Sequence, residues 1–404
     1  MIATLRRVAP IPHGIAIACV PFFPGFITLT AVAFPGVSIV PLPLALALLG
    51  AMGLLGIYGI ASLVLVKHDP SPLRAPLVTL TLVMLLCALL GFNPRDGFVF
   101  LGILALSMIW HGGIAQGYAW PNVARTIWWS YLLSGIFACV LAIGMVVTRV
   151  PAAQYAIAHG RAVGTFVLPG ELAGYLILFV PIAYALARVA HSPRLRAVAW
   201  AAFALGGVTM ALTFSRTGWV GLASAVAALV TLGSRRKKRG ALVGAAIVLA
   251  ALVLVLALFN EHHNPSENYT RLSIWQAALA TFDRFPLTGV GPFGFSHIYP
   301  AVRLPDGDET AFHAHSLYLT FAVELGVAGL AALAWILVTF GRAMRRGLAT
   351  AEPAAFVLAS AIAAGLIGAL VQGLIDTVSV FIFGLLFPML ALALAAARAG
   401  TAGA

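Results

Sequence analysis

Two histidines, His313 and His315, stand where a polar stretch meets a long apolar run, "HAHSLYLTFAVELGVAG". A neutral imidazole titrates near physiological pH, so His315 has the chemistry of a general base that takes a proton from a sugar hydroxyl. A histidine at a membrane edge also serves as a plain interfacial anchor, and the pattern alone leaves both readings open. The pair has the look of a metal site's first half, but no third ligand follows at helical spacing. Asp306 and Asp308 in "PDGDET" pair carboxylates as cation chelators do. The proline before them and the glycine between them read better as a solvated surface turn.

Arginines form the second group. Arg216 lies in "TFSRTGWVGL", Arg271 heads "RLSIWQAALATF" and Arg161 stands in "HGRAVGTF". Taken singly, each reads as a snorkelling or solvated side chain. Taken with Arg149 and Arg303, they supply guanidiniums, which grip phosphate oxygens through two parallel hydrogen bonds. Three acids, Glu171, Glu324 and Asp376, fall at or within apolar stretches. Such acids are costly in a membrane and usually face the bundle interior. On one continuous helix Glu324 would lie about 13.5 Å deeper than His315 and half a turn round, out of reach, so it reads as a packing or switch residue without an assigned partner. Asp376 lies nearer the surface and suits orienting a base or holding an arginine.

The elements that carry these residues are apolar. The 404-residue chain is 62% hydrophobic and 9% charged, far less charged than a soluble domain of that length. Apolar stretches near membrane length, broken by short polar loops, predict an all-α polytopic membrane protein. The alternation of a transmembrane β-barrel is absent. Twelve helices are expected, at about 13–34, 39–66, 75–91, 97–118, 122–148, 167–190, 195–213, 217–233, 241–259, 315–340, 354–371 and 375–397. The N-terminal apolar stretch resembles a signal peptide but continues as a retained first span. Cys19, Cys87 and Cys139 all lie in apolar runs and read as core residues.

This partition gives transmembrane helices over 1–259, one long loop at 260–314, and three more helices over 315–404. Long loops without a role are uncommon. Within this one, Leu272, Trp275, Leu279 and Phe282 recur at near-helical spacing, with Asn268 or Thr270 as the expected cap. The helix is expected to lie against the outer membrane surface or the bundle top. The glycines and prolines of "FPLTGVGPFGF" then impose an irregular, turn-rich path.

With the N-terminus inside and the helices alternating, 17 of the 24 basic residues fall inside, with only Asp69 and Glu352 as acids. This is the asymmetry of the positive-inside rule. Both termini are then cytoplasmic, and "SRRKKR" is a cytoplasmic anchor facing anionic membrane lipids. The basic excess therefore needs no nucleic acid. The seven arginines left outside run against the rule: Arg95, Arg149, Arg161, Arg216, Arg271, Arg284 and Arg303. A phosphate-bearing headgroup in the outer leaflet accounts for them.

The motifs resemble those of the O-antigen ligase and O-antigen polymerase superfamily, most strongly over about 161–335 and closest to the ligases. The family pattern is a histidine, then Asn, Ser or Gln, nine residues, Gly, two residues, Gly; here it reads His315, Ser316, nine residues, Gly326, Val327, Ala328, Gly329. "RLSIWQAALATFDRFPLTGVGPFGF", "FSRTGW" and "GTFVLPGELAGYL" resemble further family segments. Gly170 departs from the pattern where relatives often carry Asn, as does Leu330 where ligases often show a small or hydroxyl residue.

The resemblance implies an inner-membrane glycosyltransferase of lipopolysaccharide biosynthesis. Its donor would be an undecaprenyl pyrophosphate-linked O-antigen glycan and its acceptor lipid A–core, on the periplasmic face, with no metal or cofactor and with inversion. His315 would be the catalytic base. Arg216, Arg271 and Arg161, with His313 and Asp376, would bind substrate. An O-antigen polymerase or a protein O-oligosaccharyltransferase differs only in acceptor. The single dominant outside loop favours the ligase. A secondary transporter also uses membrane acids and histidines, but no paired broken helices in matching halves appear.

Overall fold

The computed structural model describes residues 2–22, 50, 53, 56–61, 64, 71–234, 236–258, 266–305, 307, 311, 313–376 and 386–398. Among them every regular element is a helix and no strand occurs. In chain order these are α1 (Ile2–Val8), α2 (Pro10–Cys19), α3 (Arg74–Leu90), α4 (Pro94–Gly117), α5 (Val123–Thr148), α6 (Ala152–Ile157), α7 (Pro169–Val189) and α8 (Pro193–Leu212). Then follow α9 (Arg216–Gly233), α10 (Lys237–Leu258), α11 (Ser266–Arg284), α12 (Gly294–Val302), α13 (Leu317–Thr350), α14 (Pro353–Gln372) and α15 (Leu386–Arg398). Eight helices among the described residues are long and apolar enough to cross a membrane: α4, α5, α7, α8, α9, α10, α13 and α14. The shorter α3 and α15 are also apolar.

Helix starts follow local chemistry. Proline occupies the first turn of α4, α7, α8 and α14, where its missing N–H costs nothing. Serine caps α8, α9 and α13 through its side-chain oxygen. Glu171 caps α7 by accepting the N–H groups of Val167 at 3.1 Å and Leu168 at 3.3 Å. That accounts for an acid at the edge of an apolar stretch.

The expected spans from 75–91 to 354–371 each coincide with a helix to within a few residues, with one exception. The tenth, expected over 315–340, begins at Leu317 and runs to Thr350. Its apolar stretch ends near residue 340, but the Arg, Met, Ala and Leu that follow are strong helix formers. The helix stops before Pro353, which disfavours helical geometry in the residue ahead of it. The first helix begins earlier than expected, as α1 and α2. The expected 39–66 span, the end of 13–34 and the start of 375–397 lie outside the described residues or are described only in part.

The core centres on α7, of whose membrane-length window 83% is buried, against 17% for α10 at the rim. It packs on α8, α9 and α14, and Phe179 reaches across to Gly135 of α5. Helices α9 and α14 meet backbone to backbone, since a Cβ on Gly368 would lie 2.4 Å from the carbonyl oxygen of Gly221. Between apolar helices in lipid, such close approach supplies the van der Waals contact that hydrophobic burial supplies in water. On the other side α13 packs against α3, α11 and α15.

Helix α13 is broken. Gly326 has φ 63° and ψ −161°, far from helical values. Residues 286–291, the "PLTGVG" turn, fill the break. Val290 N–H donates to Val323 O at 2.8 Å, Gly291 N–H to Glu324 O at 3.0 Å, and Val327 N–H to Pro286 O at 2.8 Å. Backbone groups freed inside a membrane helix need such protein partners. The long loop is thus seated in the bundle, roughly 13 Å along α13 from its start.

Candidate active site

One end of the bundle collects the starts of α7, α9 and α13 and the ends of α8 and α14. Ser316 caps α13, and its hydroxyl lies 3.4 Å from Gly373 O, the carbonyl that takes the Leu317 N–H at 2.8 Å. This pins the start of α13 to the end of α14. Gln372 Nε2 donates to Gly170 O at 3.1 Å, which ties α14 to the start of α7. Asp376 N–H donates to Gln372 O at 3.0 Å, so the acid is held by the same knot.

His315 precedes the cap in a left-handed conformation, φ 44°. Its Nδ1 stands 3.9 Å from Asp376 Oδ1, within ion-pair range though too long for a hydrogen bond, with the two side chains 30% and 18% exposed. The other carboxylate oxygen, Oδ2, lies 2.8 Å from where a Cβ on Gly170 would stand. The glycine that departs from the family pattern therefore leaves the space that the carboxylate occupies.

Helix α11 closes another side. Trp275 Nε1 donates to the His315 carbonyl at 3.4 Å. Arg271 lies one turn earlier on the same face and acts electrostatically on Asp376. Burial works to raise the Asp376 pKa; contact with His315 and the positive charge of Arg271 outweigh it and hold the carboxyl below its usual value. His313 is held at about 3, first by burial and then by the neighbouring His315, so its ring is neutral.

Arg161 and Arg216 belong to the same end. Ala162 N–H donates to Leu212 O at 2.9 Å, which lays the Arg161 segment along the turn between α8 and α9. Ser215 caps α9 by accepting the Gly218 N–H at 3.1 Å, so Arg216 is the first helical residue. A Cβ on Gly218 would stand 2.5 Å from the Ala173 Cβ, which sets the start of α9 against α7. Both arginines are partly exposed, and Arg161 Nε donates to Ala158 O at 3.1 Å. Arg303 Nη1 donates to Gly307 O at 2.7 Å within its own turn. Arg149, exposed at the C-terminus of α5, has φ 59°.

Three expectations change. Glu324 has a partner, the Phe293 N–H that its carboxylate accepts. Its separation from His315 is not that of one continuous helix, because α13 begins only at Leu317. In α11 the buried stripe is Ser273, Ile274, Ala277, Ala278 and Thr281, while Leu272 and Leu279 are 55% and 51% exposed. Small side chains let the helix lie close on its neighbours, and the two leucines turn outward. Asn268 and Thr270 lie inside α11, which starts at Ser266, so neither is its cap. Asp306 and Asp308 lie outside the described residues. No cluster of three or more His, Cys, Asp or Glu fit to hold a metal occurs among the described residues.

Residues 201–334 match the family model described as O-antigen ligase. The likeness is to the O-antigen ligase family and lies in this segment. No curated protein matches the chain. The matched segment runs from within α8 past the Gly326 break, and it carries Arg216, Arg271 and His315. Arg161, Gly170 and Asp376 come from outside it and are brought to it by the bundle. Reading the sequence missed Trp275, Gln372 and Gly373 as the groups that fix the His315 segment. The indole beside Arg271 in the loop motif was the one available signal; the other two act through backbone carbonyls or an amide, which no spacing marks.

Proposed function

We propose that the protein transfers O-antigen polysaccharide from undecaprenyl pyrophosphate to lipid A–core at the periplasmic face of the inner membrane, with inversion and without a metal. The observation that carries this reading is the pairing of His315 with Asp376, beside Arg271, at the bundle end that also holds Arg216 and Arg161. The family match supports the coarser part, a membrane enzyme of the O-antigen ligase or polymerase type.

In this mechanism Nε2 of His315 takes the proton of the acceptor hydroxyl while Asp376, on the Nδ1 side, stabilises the resulting imidazolium. The acceptor oxygen forms its bond to the anomeric carbon from the face opposite the leaving group. The bond from that carbon to the pyrophosphate oxygen breaks, and undecaprenyl pyrophosphate departs with the electron pair. Arg216 and Arg271, with Arg161, bind the diphosphate and offset the charge growing on it. His313 lies against the base. The loop expected over 260–314 would face the periplasm, and the basic residues at the opposite helix ends would face the cytoplasm.

The transporter reading has one observation in its favour, the break in α13. Transporter sites use broken helices whose free ends face a cavity at mid-membrane. Here the carbonyls of Val323 and Glu324 are already taken by Val290 and Gly291, so the break is filled.

The test is incubation of purified protein with lipid-linked O-antigen and lipid A–core, with and without EDTA. The expected result is a shifted lipopolysaccharide ladder in both samples. Extension of the lipid-linked glycan alone would indicate a polymerase. Transfer that vanishes with EDTA would refute the metal-free mechanism.

A further inference from the structure

We propose that His313 is a positioning residue: its Nδ1 accepts the backbone N–H of His315 at 3.2 Å and holds residue 315 in the backbone conformation that presents its ring to Asp376. This rests on the reading of His315 as the base. It gives His313 a role exercised through His315 and not through substrate.

The geometry at residue 315 requires an explanation. A histidine at φ 44° occupies a region that few residues other than glycine adopt, and such strain persists only where the surroundings over-determine it. Both peptide groups of His315 are held by side chains. Its carbonyl takes the Trp275 indole at 3.4 Å, and its N–H goes to His313. The next two residues are fixed on Gly373 by the Ser316 hydroxyl and the Leu317 N–H. The chain is therefore anchored after residue 315, and the His313 acceptor is what anchors the N–H before it. Without that acceptor, the N–H loses its partner and the left-handed turn loses one of its constraints. Rotation to negative φ would then carry the ring away from the carboxylate.

His313 is suited to this. A ring nitrogen that accepts a hydrogen bond carries no proton, so the required form is neutral with its proton on Nε2. The two rings touch edge to face, with centroids 4.5 Å apart and planes at 62°, which also restricts rotation of the base. Elsewhere the His313 ring lines an apolar cleft with Phe293, Leu317 and Phe321.

Two substitutions separate the acceptor from the ring. His313→Phe keeps the volume and removes the acceptor. His313→Asn loses the ring but places a carbonyl oxygen near the position of Nδ1. The first readout needs no substrate: structures of both full-length variants determined by electron cryomicroscopy. The expected result is that residue 315 leaves the left-handed region in His313→Phe and stays there in His313→Asn. A Phe variant with residue 315 unchanged and its ring still on Asp376 would overturn the inference.

The second readout is transfer kinetics. His313→Phe should lower kcat about 10- to 100-fold, the scale of a misplaced catalytic group, with KM for the lipid-linked donor unchanged. His313→Asn should retain most of kcat. Equal losses in both variants, or a loss confined to KM, would instead mean that the ring meets substrate. Should Phe fail to fold, His313→Ala makes the same comparison with Asn. His315→Ala serves as the reference. Retained transfer there refutes the base itself, whereas an inactive His315→Ala beside a fully active His313→Phe refutes only the positioning role.

Discussion

At the scale of single residues, the proposed mechanism divides the site into a base, a carboxylate that answers it, and guanidiniums that would meet a phosphate. Replacing His315 by alanine should reduce transfer about 10²- to 10⁴-fold, the usual contribution of general base catalysis, as measured by initial rates on purified protein. Arg216→Lys keeps the charge and loses the two-pronged donor, so kcat/KM should fall about tenfold or more. Unchanged activity would mean that charge alone suffices. His313 also leaves a signature in acid. Its pKa lies near 3 in the folded protein against 6.5 for the free group, so between those values the unfolded chain binds the additional proton. Stability therefore falls as pH drops through this window. Melting temperatures of wild type and His313→Asn between pH 7 and 4 should show a flatter acid limb in the variant. Asp376, held below the usual carboxylate range, contributes stability at neutral pH and loses it only as pH falls through its lowered value.

At the scale of elements, two separate sequence motifs turn out to form a single joint. Gly326 follows His315 at the family spacing, and "PLTGVG" lies in the loop; the second is seated in the break at the first. A Cβ on Gly326 would stand 2.3 Å from Leu287 O, and one on Gly289 would stand 2.4 Å from the Glu324 carbonyl carbon. Gly326→Ala should therefore destabilise the protein by about 1–3 kcal/mol from backbone strain alone, with the clash in addition. Gly341→Ala, where nothing stands within 4 Å, should leave the melting temperature near that of wild type. The sequence carried most helices, because apolar length and proline starts are local signals. The His315 motif was visible because its spacing is local too, and its role as a base is the reading proposed above. The sequence did not carry the break, because 317–340 is a largely apolar run whose glycines do not by themselves signal one, and the groups that relieve Gly326 lie some forty residues earlier. The face of α11 that packs on the protein was not visible in the sequence, because Ser273, Ala277, Ala278 and Thr281, beside Ile274, make it, and a stripe of small and hydroxyl residues has no apolar period to mark it.

At the scale of the whole molecule, a cluster of basic helix ends and the candidate site lie at opposite ends. His315, Asp376, Arg161 and Arg216 gather at one end of the helices. Arg188, Arg194, Lys237, Lys238, Arg345, Arg346 and Arg398 lie at the other ends of those or neighbouring helices. If the basic end is cytoplasmic, a membrane-impermeant maleimide applied to intact cells should label a cysteine at His297, whose side chain is 51% exposed, and should not label one at Arg345. The reverse pattern would overturn the assigned orientation. Of the native thiols Cys87 and Cys139 are buried, and the partly exposed Cys19 would first be replaced by serine.

The turn at 286–291, lodged in α13, bears on how such proteins can be recombined. A swap of residues 260–314 between two relatives would bring a foreign wedge to a native notch. Chimeras built that way should misfold unless positions 323–327 travel with the insert, and a library that crosses over between these two stretches should be depleted of survivors.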